Sequence, residues 1–414
     1  MGWDGCNPIS QAGLKYHLAR QHQWRPLPNM FTAIGAPSSS RVPAKRLVSL
    51  DVLRGITIAF MILVNNGVPN YAFPALEHAE WNGWTPTDLV FPTFLFLVGV
   101  TIVFSFESRL SRGASRSSLL LHTIRRACIL FALGLVVNGF PHFPLATLRI
   151  YGVLQRIAIC FLLASVLYLL DRRPWSKIAI IVLALFGYWV LLRWVPVPGF
   201  GMPGRDIPLF DPSRNLGAYI DRHIFPGRLY RGVRDPEGLL SNIPALGTTL
   251  LGMLTAMWLR SKRSPSIKAW GMLAAGILGI FLGQVWGLWF PINKNLWSSS
   301  YVLFAAGIAL VALSICYWAI DIRNWKTGWT YVWLAFGMNA ITAYVFSELL
   351  SSMLYAIDVN AGTKTVSLSW YLFAHCFAEI PSHHLASLAY SIGIVAICFV
   401  PVAILYRQRI FLKV

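Results

Sequence analysis

The chain has 414 residues, of which 56% are hydrophobic and only 12% charged; a soluble protein of this length carries about twice that charge, so there is too little polar sequence to cover two or three water-soluble domains. A mean hydropathy of +0.58 makes lipid the fitting solvent. The formal net charge of +19 argues little for nucleic acid, because Lys and Arg punctuate apolar runs instead of forming one phosphate-binding patch.

Residues 1–44 are polar, basic and rich in Gly, Pro and Ser, and read as a cytoplasmic tail that is disordered or partly non-native. The remainder, 45–414, reads as one all-α polytopic membrane domain. Ten apolar stretches approach or reach the roughly 20 residues that cross a bilayer, at 50–68, 87–106, 119–139, 150–170, 176–195, 243–260, 267–289, 297–319, 330–354 and 385–406. A further stretch, 367–379, is short and holds His375 and Glu379, which marks it as re-entrant or interfacial.

Lys and Arg residues set the expected orientation. Arg109, Arg112 and Arg116, then Arg172, Arg173 and Lys177, then Arg260, Lys262, Arg263 and Lys268, then Arg323 and Lys326, then Arg407, Arg409 and Lys413 all fall on one side of a ten-span layout. The alternate loop 69–86 has no Lys or Arg, and 290–296 has only Lys294. Positive residues stay inside, which predicts that both termini are cytoplasmic and that the long loop 196–242 is an ordered cap over the outer mouth. The six cysteines are scattered, with neither a CxxC nor a ligand-spaced His/Cys cluster, so no disulfide framework and no metal site are expected.

Ionisable groups inside spans are costly unless paired or facing a watery path, so each is a candidate. Asp51 and Arg54, three apart on one helix face, suit an ion pair at the start of the first span. Asn65 and Asn66 end that span, and the loop after it leads through Glu77, His78 and Glu80 to Asp88. A carboxylate beside His78 would orient its ring and raise its basicity for proton transfer, although an isolated loop histidine is more often an ordinary surface residue. Asp88 equally suits a helix N-terminus, with Thr85 or Thr87 as cap. Arg149 and Arg156 lie two helical turns apart with Gly152 between, a face fit for an anion or for structural pairing. Arg126, Lys294, Asn295 and Trp297 add further polar or interfacial positions, and Asn339 and Glu348 sit in the ninth stretch.

The motifs RLVSLDVLRGITIAFMILVNN, HAEWNGWTPTDLVFPTFLFLVGV, RIYGVLQRIAI, AYIDR, DPEGLL, FPINKNLWSSSYV and GMNAITAYV occur in this order from Arg46 onward. Together they resemble the membrane domain of the heparan-α-glucosaminide N-acetyltransferase family and its bacterial relatives. The resemblance implies a transmembrane acetyltransferase that takes acetyl from cytoplasmic acetyl-CoA and delivers it to an amine or hydroxyl of a sugar or glycan on the other side of the bilayer. In a bacterial inner membrane that side is the periplasm or exterior. It places the family's active-site histidine on His78, its VN asparagine on Asn65 and its ADLVFP aspartate on Asp88, where this chain reads TDLVFP. The GVLQR stretch falls on Gly152 to Arg156 and adds Gln155. Relatives also suggest a homodimer.

The expected division of labour follows. His78 acts as general base or as a transient acyl carrier, Asp88 orients it, and Asn65 donates to the thioester oxygen. Arg126, Arg149, Gln155, Arg156, Lys294, Asn295 and Trp297 are the expected acetyl-CoA contacts, drawn chiefly from their charge. The rival reading is a transporter or flippase of a polar or anionic solute, since polar residues within spans also line permeation paths.

Overall fold

The computed structural model describes residues 47–326, 328–361, 364–377 and 379–411; the expected basic tail lies outside them. Thirteen helices are described: α1 (Val48–Asn65), α2 (Val90–Leu110), α3 (Arg116–Gly139), α4 (Val153–Leu170), α5 (Pro174–Trp194), α6 (Leu216–Ile224), α7 (Asn242–Leu259), α8 (Pro265–Trp286), α9 (Ser299–Cys316), α10 (Thr330–Met338), α11 (Ala340–Ala356), α12 (Leu368–Cys376) and α13 (His383–Arg407). Among the described residues nine helices are long and apolar enough to span a bilayer, or ten if α10 and α11 count as one broken span.

Local chemistry starts these helices where the apolar runs begin. Ser115, Ser264, Ser298 and Ser382 accept backbone N–H bonds at the starts of α3, α8, α9 and α13, and Pro174 and Pro265 occupy first helical positions that need no N–H partner. The start of α1 has no cap of its own. Asp321, just beyond α9, accepts from Val48 N–H at 3.3 Å and Ser49 N–H at 3.1 Å instead.

Burial separates inner from outer helices. In the most apolar window of α1, α4 and α7 between 61% and 67% of residues are buried, and 72% around α2, against 22% for α3 and α8, 28% for α13 and 33% for α5. The outer helices turn Leu121, Leu183, Phe281 and Val400 outward. Such continuous apolar faces suit hydrocarbon and not water.

The inner helices meet at glycines. A Cβ on Gly99 of α2 would lie 1.9 Å from the Thr249 carbonyl oxygen of α7, and one on Gly252 of α7 would lie 2.0 Å from the Phe96 oxygen of α2. Two backbones in contact leave no side chain to yield. Gly99→Ala is therefore expected to lower the melting temperature in detergent, because overpacking of roughly 1–3 kcal/mol or more exceeds the gain of about 1 kcal/mol in helix propensity. An unchanged or raised melting temperature would show that the α2 and α7 backbones are not in contact.

One expectation is corrected. The ninth stretch, 330–354, is no continuous span: α10 and α11 meet at an 83° bend. Asn339 between them has φ −120° and ψ 37°, outside helical geometry, at the point where the two helices change direction. Between α11 and α12 lies an antiparallel hairpin, β1 (Asp358–Ala361) with β2 (Lys364–Ser367), in register from Asp358 opposite Ser367 to Ala361 opposite Lys364. The short stretch expected at 367–379 is α12, a nine-residue helix that follows it.

Three connections converge at one end of the bundle. Gly83 N–H of the α1–α2 loop donates to the Ile292 oxygen of the α8–α9 loop at 2.8 Å, and Asn293 Nδ2 donates to Asn82 Oδ1 at 3.2 Å. Trp81 Nε1 donates to the Phe210 oxygen of 196–242 at 3.1 Å. At the opposite end Glu107 of α2 accepts from Tyr168 (2.9 Å), Arg172 (3.4 Å) and Arg260 (3.2 Å), tying together the ends of α2, α4 and α7.

Candidate active site

The site grows from the turn that opens α2. Thr85 precedes the 3-10 turn Pro86–Leu89 and forms a capping box with Asp88: Thr85 N–H donates to Asp88 Oδ2 at 3.0 Å, and the turn is closed by Asp88 N–H donating to the Thr85 main-chain oxygen at 3.0 Å. Ala79 N–H reaches the same Oδ2 at 3.1 Å, which draws the loop back over the turn. Beneath it the hydroxyl of buried Tyr301, on α9, donates to the Asp88 main-chain oxygen at 2.5 Å.

With Oδ2 so held, Asp88 Oδ1 faces His78 Nδ1 at 2.8 Å. An ionised carboxylate only accepts, so Nδ1 carries the ring proton and Nε2 keeps its lone pair. The Asp88 side chain is 1% exposed and that of His78 46%, so a fixed, buried acceptor orients a half-exposed ring.

Lys294, from the α8–α9 loop, brings its ammonium within 3.0 Å of Nε2, 3.1 Å of Nδ1 and 3.8 Å of Asp88 Oδ1. Burial lowers the Lys294 pKa from its usual value, and Arg156 and Arg231 add to this against the pull of Glu237 and Asp88. Asn65 joins none of these contacts. Its Nδ2 donates to Glu348 Oε1 of α11 at 3.0 Å.

The expected acetyl-CoA contacts fall in different places. Arg149 is held by the cap: Nε and Nη2 bond both oxygens of Asp235 at 2.8 and 2.6 Å, and Nη2 bonds Glu237 Oε2 at 2.6 Å. Burial opposes its charge, yet the two carboxylates raise the Arg149 pKa above its ordinary value. Burial likewise opposes charge on Asp235, and Arg149 outweighs it and lowers the carboxyl pKa.

Arg156 is 1% exposed and lies 4.7 Å over the ring of Trp297, bonding the Gly238 oxygen at 3.3 Å and Ser241 Oγ. Trp297 is itself fully buried and holds φ +53°, a conformation costly for an aromatic residue. Its Nε1 donates to Thr248 Oγ1 at 3.2 Å. Arg126 stacks 4.6 Å from the Phe161 ring. Asn295 lines a cleft under the cap.

The buried polar atoms supply the test of fit for an anionic co-substrate. Arg156 Nε and Nη1, both amide atoms of Gln155, and Arg126 Nε are buried without a hydrogen-bond partner. Unpaired buried donors cost about 1–3 kcal/mol each, so Arg156 and Arg126 fit phosphate or carbonyl oxygens. Arg149 already has its anions.

Asp221, on α6 of the cap, is a second buried carboxylate. It accepts from Leu239 N–H at 2.9 Å, and burial pushes its pKa up to about 6, with Asp235 adding to the effect. Between the ordinary carboxylate range and about pH 6 the folded chain holds a proton there that the unfolded chain has released. The group's contribution to stability therefore falls as pH rises through that window and is unfavourable above it. Asp221→Asn is expected to flatten the change of melting temperature over this range, and an equal slope in both proteins would exclude the effect.

Pattern reading left out Glu237, Asp235, Asp221 and Tyr301. AYIDR and DPEGLL carried the three acids, but as residues of a loop balanced by arginines they had no periodicity to mark them as buried.

An imidazole bonded to a buried carboxylate and lying beside a lysine ammonium, at one end of a bundle with nine helices long and apolar enough to cross a bilayer among the described residues, makes the chain a helical membrane protein with a candidate acid–base pair. The comparisons then give the family. A family model described as heparan-alpha-glucosaminide N-acetyltransferase, catalytic, matches residues 46–290, and the chain belongs to that family of membrane acetyltransferases. It is 30% identical to the human heparan-alpha-glucosaminide N-acetyltransferase over 91% of this chain and 62% of that protein, and 29% identical to the mouse protein over the same shares. The chain thus spans under two thirds of the length of these relatives.

Proposed function

We propose that the chain moves an acetyl group from acetyl-CoA on the cytoplasmic side to an amine or hydroxyl of a sugar acceptor at the end that carries His78. The observation that carries this reading is the 2.8 Å bond from His78 Nδ1 to buried Asp88, which leaves Nε2 as the base. Nε2 takes the proton that the acceptor loses as it attacks the acyl carbon, and can return it to the departing sulfur. In the two-step alternative Nε2 itself carries the acyl group.

Lys294 is better placed than Asn65 to stabilise the developing oxyanion, since its ammonium already sits 3.0 Å from Nε2. Arg156, Gln155 and Arg126, with their unpartnered buried atoms, are the groups we assign to the co-substrate's phosphate and amide oxygens. The Glu107 cluster, with Arg172 and Arg260, supports placing that opposite end at the cytoplasmic face, which sets both termini there as well.

The test uses purified protein in detergent with radiolabelled acetyl-CoA and a glucosamine glycoside. Stoichiometric release of CoA with labelled N-acetyl product supports the reading. Movement of solute across reconstituted vesicles without CoA release would replace it with transport. Label retained on the protein before acceptor is added, and absent from a His78 variant, marks the two-step route.

A further inference from the structure

The loop that carries His78 is held from two sides. On one side it is bonded to the turn that opens α2: Thr87 Oγ1 donates to the Ala75 oxygen at 3.3 Å, Thr85 Oγ1 to the Glu77 oxygen at 2.6 Å and Ala79 N–H to Asp88 Oδ2 at 3.1 Å. On the other side residues 68–73 lie against α12 and the start of α13. Val68 N–H donates to Ser387 Oγ at 3.0 Å. His384 Nδ1 lies 3.1 Å from the Tyr71 oxygen and 3.0 Å from the Ala72 oxygen. Carbonyl oxygens only accept, so Nδ1 carries the ring proton and shares it between the two. The Phe73 and His384 rings meet with centroids 5.2 Å apart, and Tyr71 packs among Trp370, Phe373 and His383.

Little slack separates the two sets of bonds. Ala72 and Ala75 are three residues apart, and the 3-10 turn Pro74–Leu76 begins with a proline whose φ is fixed. A shift at Ala72 is therefore carried along the chain to His78, six residues on. The two anchors on α13 differ in kind. Ser387 is 1% exposed and satisfies a buried backbone donor, which is a structural need. His384 is exposed, so it adds little to the core, and what its shared proton fixes is the path of the loop. Both lie beyond residues 46–290, the part of the chain that the family model matches.

We infer that His384 is a positioning residue: from the start of α13 it fixes the path of residues 71–77 and so holds His78 against Asp88. The inference rests on the acyltransferase reading for its kinetic consequence. The anchoring itself can be measured apart from catalysis.

The experiment compares the full chain in detergent with its His384→Ala and His384→Asn variants; in the latter the amide nitrogen takes the place of Nδ1 and can donate to the same oxygens. His384→Ala is expected to speed amide hydrogen exchange across residues 71–79 about tenfold. It is also expected to lower kcat for acetyl transfer about tenfold, because a displacement of about 1 Å at a reacting group is enough for such a loss. The KM for acetyl-CoA and the melting temperature are expected to stay near those of the wild type, and His384→Asn to restore most of the exchange protection and of kcat. Unchanged exchange in His384→Ala overturns the inference, as does faster exchange with wild-type kcat. A lowered kcat that His384→Asn leaves unrestored in a folded protein overturns it too, since the ring and not its N–H would then matter. A wild type that transfers no acetyl group, in which exchange still responds as expected, leaves the anchor standing and defeats the catalytic reading instead.

Discussion

Replacing His78 with Ala is expected to lower kcat/KM for acetyl transfer by about 10²–10⁴-fold, the usual worth of a positioned acid–base group. The ring is 46% exposed and its loss opens no internal cavity, so the melting temperature and the affinity for acetyl-CoA are expected to stay near those of the wild type. Asp88→Asn should affect both quantities. At Oδ2 two backbone donors, Ala79 N–H and Thr85 N–H, require an oxygen, which turns the new amide nitrogen toward His78 Nδ1. The ring must then adopt the other tautomer, placing its proton on the nitrogen that has to be the base. A His78→Ala protein within about fivefold of wild-type turnover would end the acid–base assignment.

The second large effect concerns the cap. Arg149→Met leaves Asp235 and Glu237 buried without their cation, and breaking one side of a buried pair costs about 3–5 kcal/mol. Thermal unfolding in detergent should show a marked loss of stability. The triple variant Arg149→Met, Asp235→Asn, Glu237→Gln should recover most of it, because no buried charge is then left unpaired. If Arg149→Met were as stable as the wild type, Arg149 would not be anchored to the cap, and its expected role as a phosphate contact would return. Single-turnover assays separate the two outcomes, since a phosphate contact predicts a raised KM for acetyl-CoA in a protein of normal stability.

Much of this architecture is legible without coordinates, because the cost of exposing backbone to lipid forces long apolar runs into helices. The starts of α1, α2, α4, α5 and α7 all fall within a few residues of the expected spans. The 330–354 run misled because hydropathy registers the length of a segment and not its direction. The 83° bend turns on the conformation of one buried residue, Asn339. The β1–β2 hairpin was invisible for the opposite reason, being too polar and short to show an alternating pattern.

At the site, the resemblance put forward His78 and Asp88, which the structure brings within 2.8 Å of each other, and helix-start chemistry offered Thr85 or Thr87 as the cap, of which Thr85 takes the position. Sequence separation hid the other partners. Lys294 lies 216 positions from His78 and was read as a phosphate contact or interfacial anchor, whereas the paired loops 82–83 and 292–293 bring it onto the ring. Asn65 was placed with the histidine by motif, but side-chain direction gives it to Glu348.

Composition and periodicity by themselves determined that this chain lives in lipid, roughly where it crosses, and which loop bears the histidine, since these follow from local solvation energies. Only the tertiary structure decided which charges neutralise one another. A guanidinium looks the same in sequence whether it meets a phosphate or a carboxylate, and here Arg149 meets Asp235 and Glu237 while Arg156 retains two unpartnered nitrogens. Pairing inside a low-dielectric bundle depends on distances of a few ångströms, and those are set by how the helices and the cap pack.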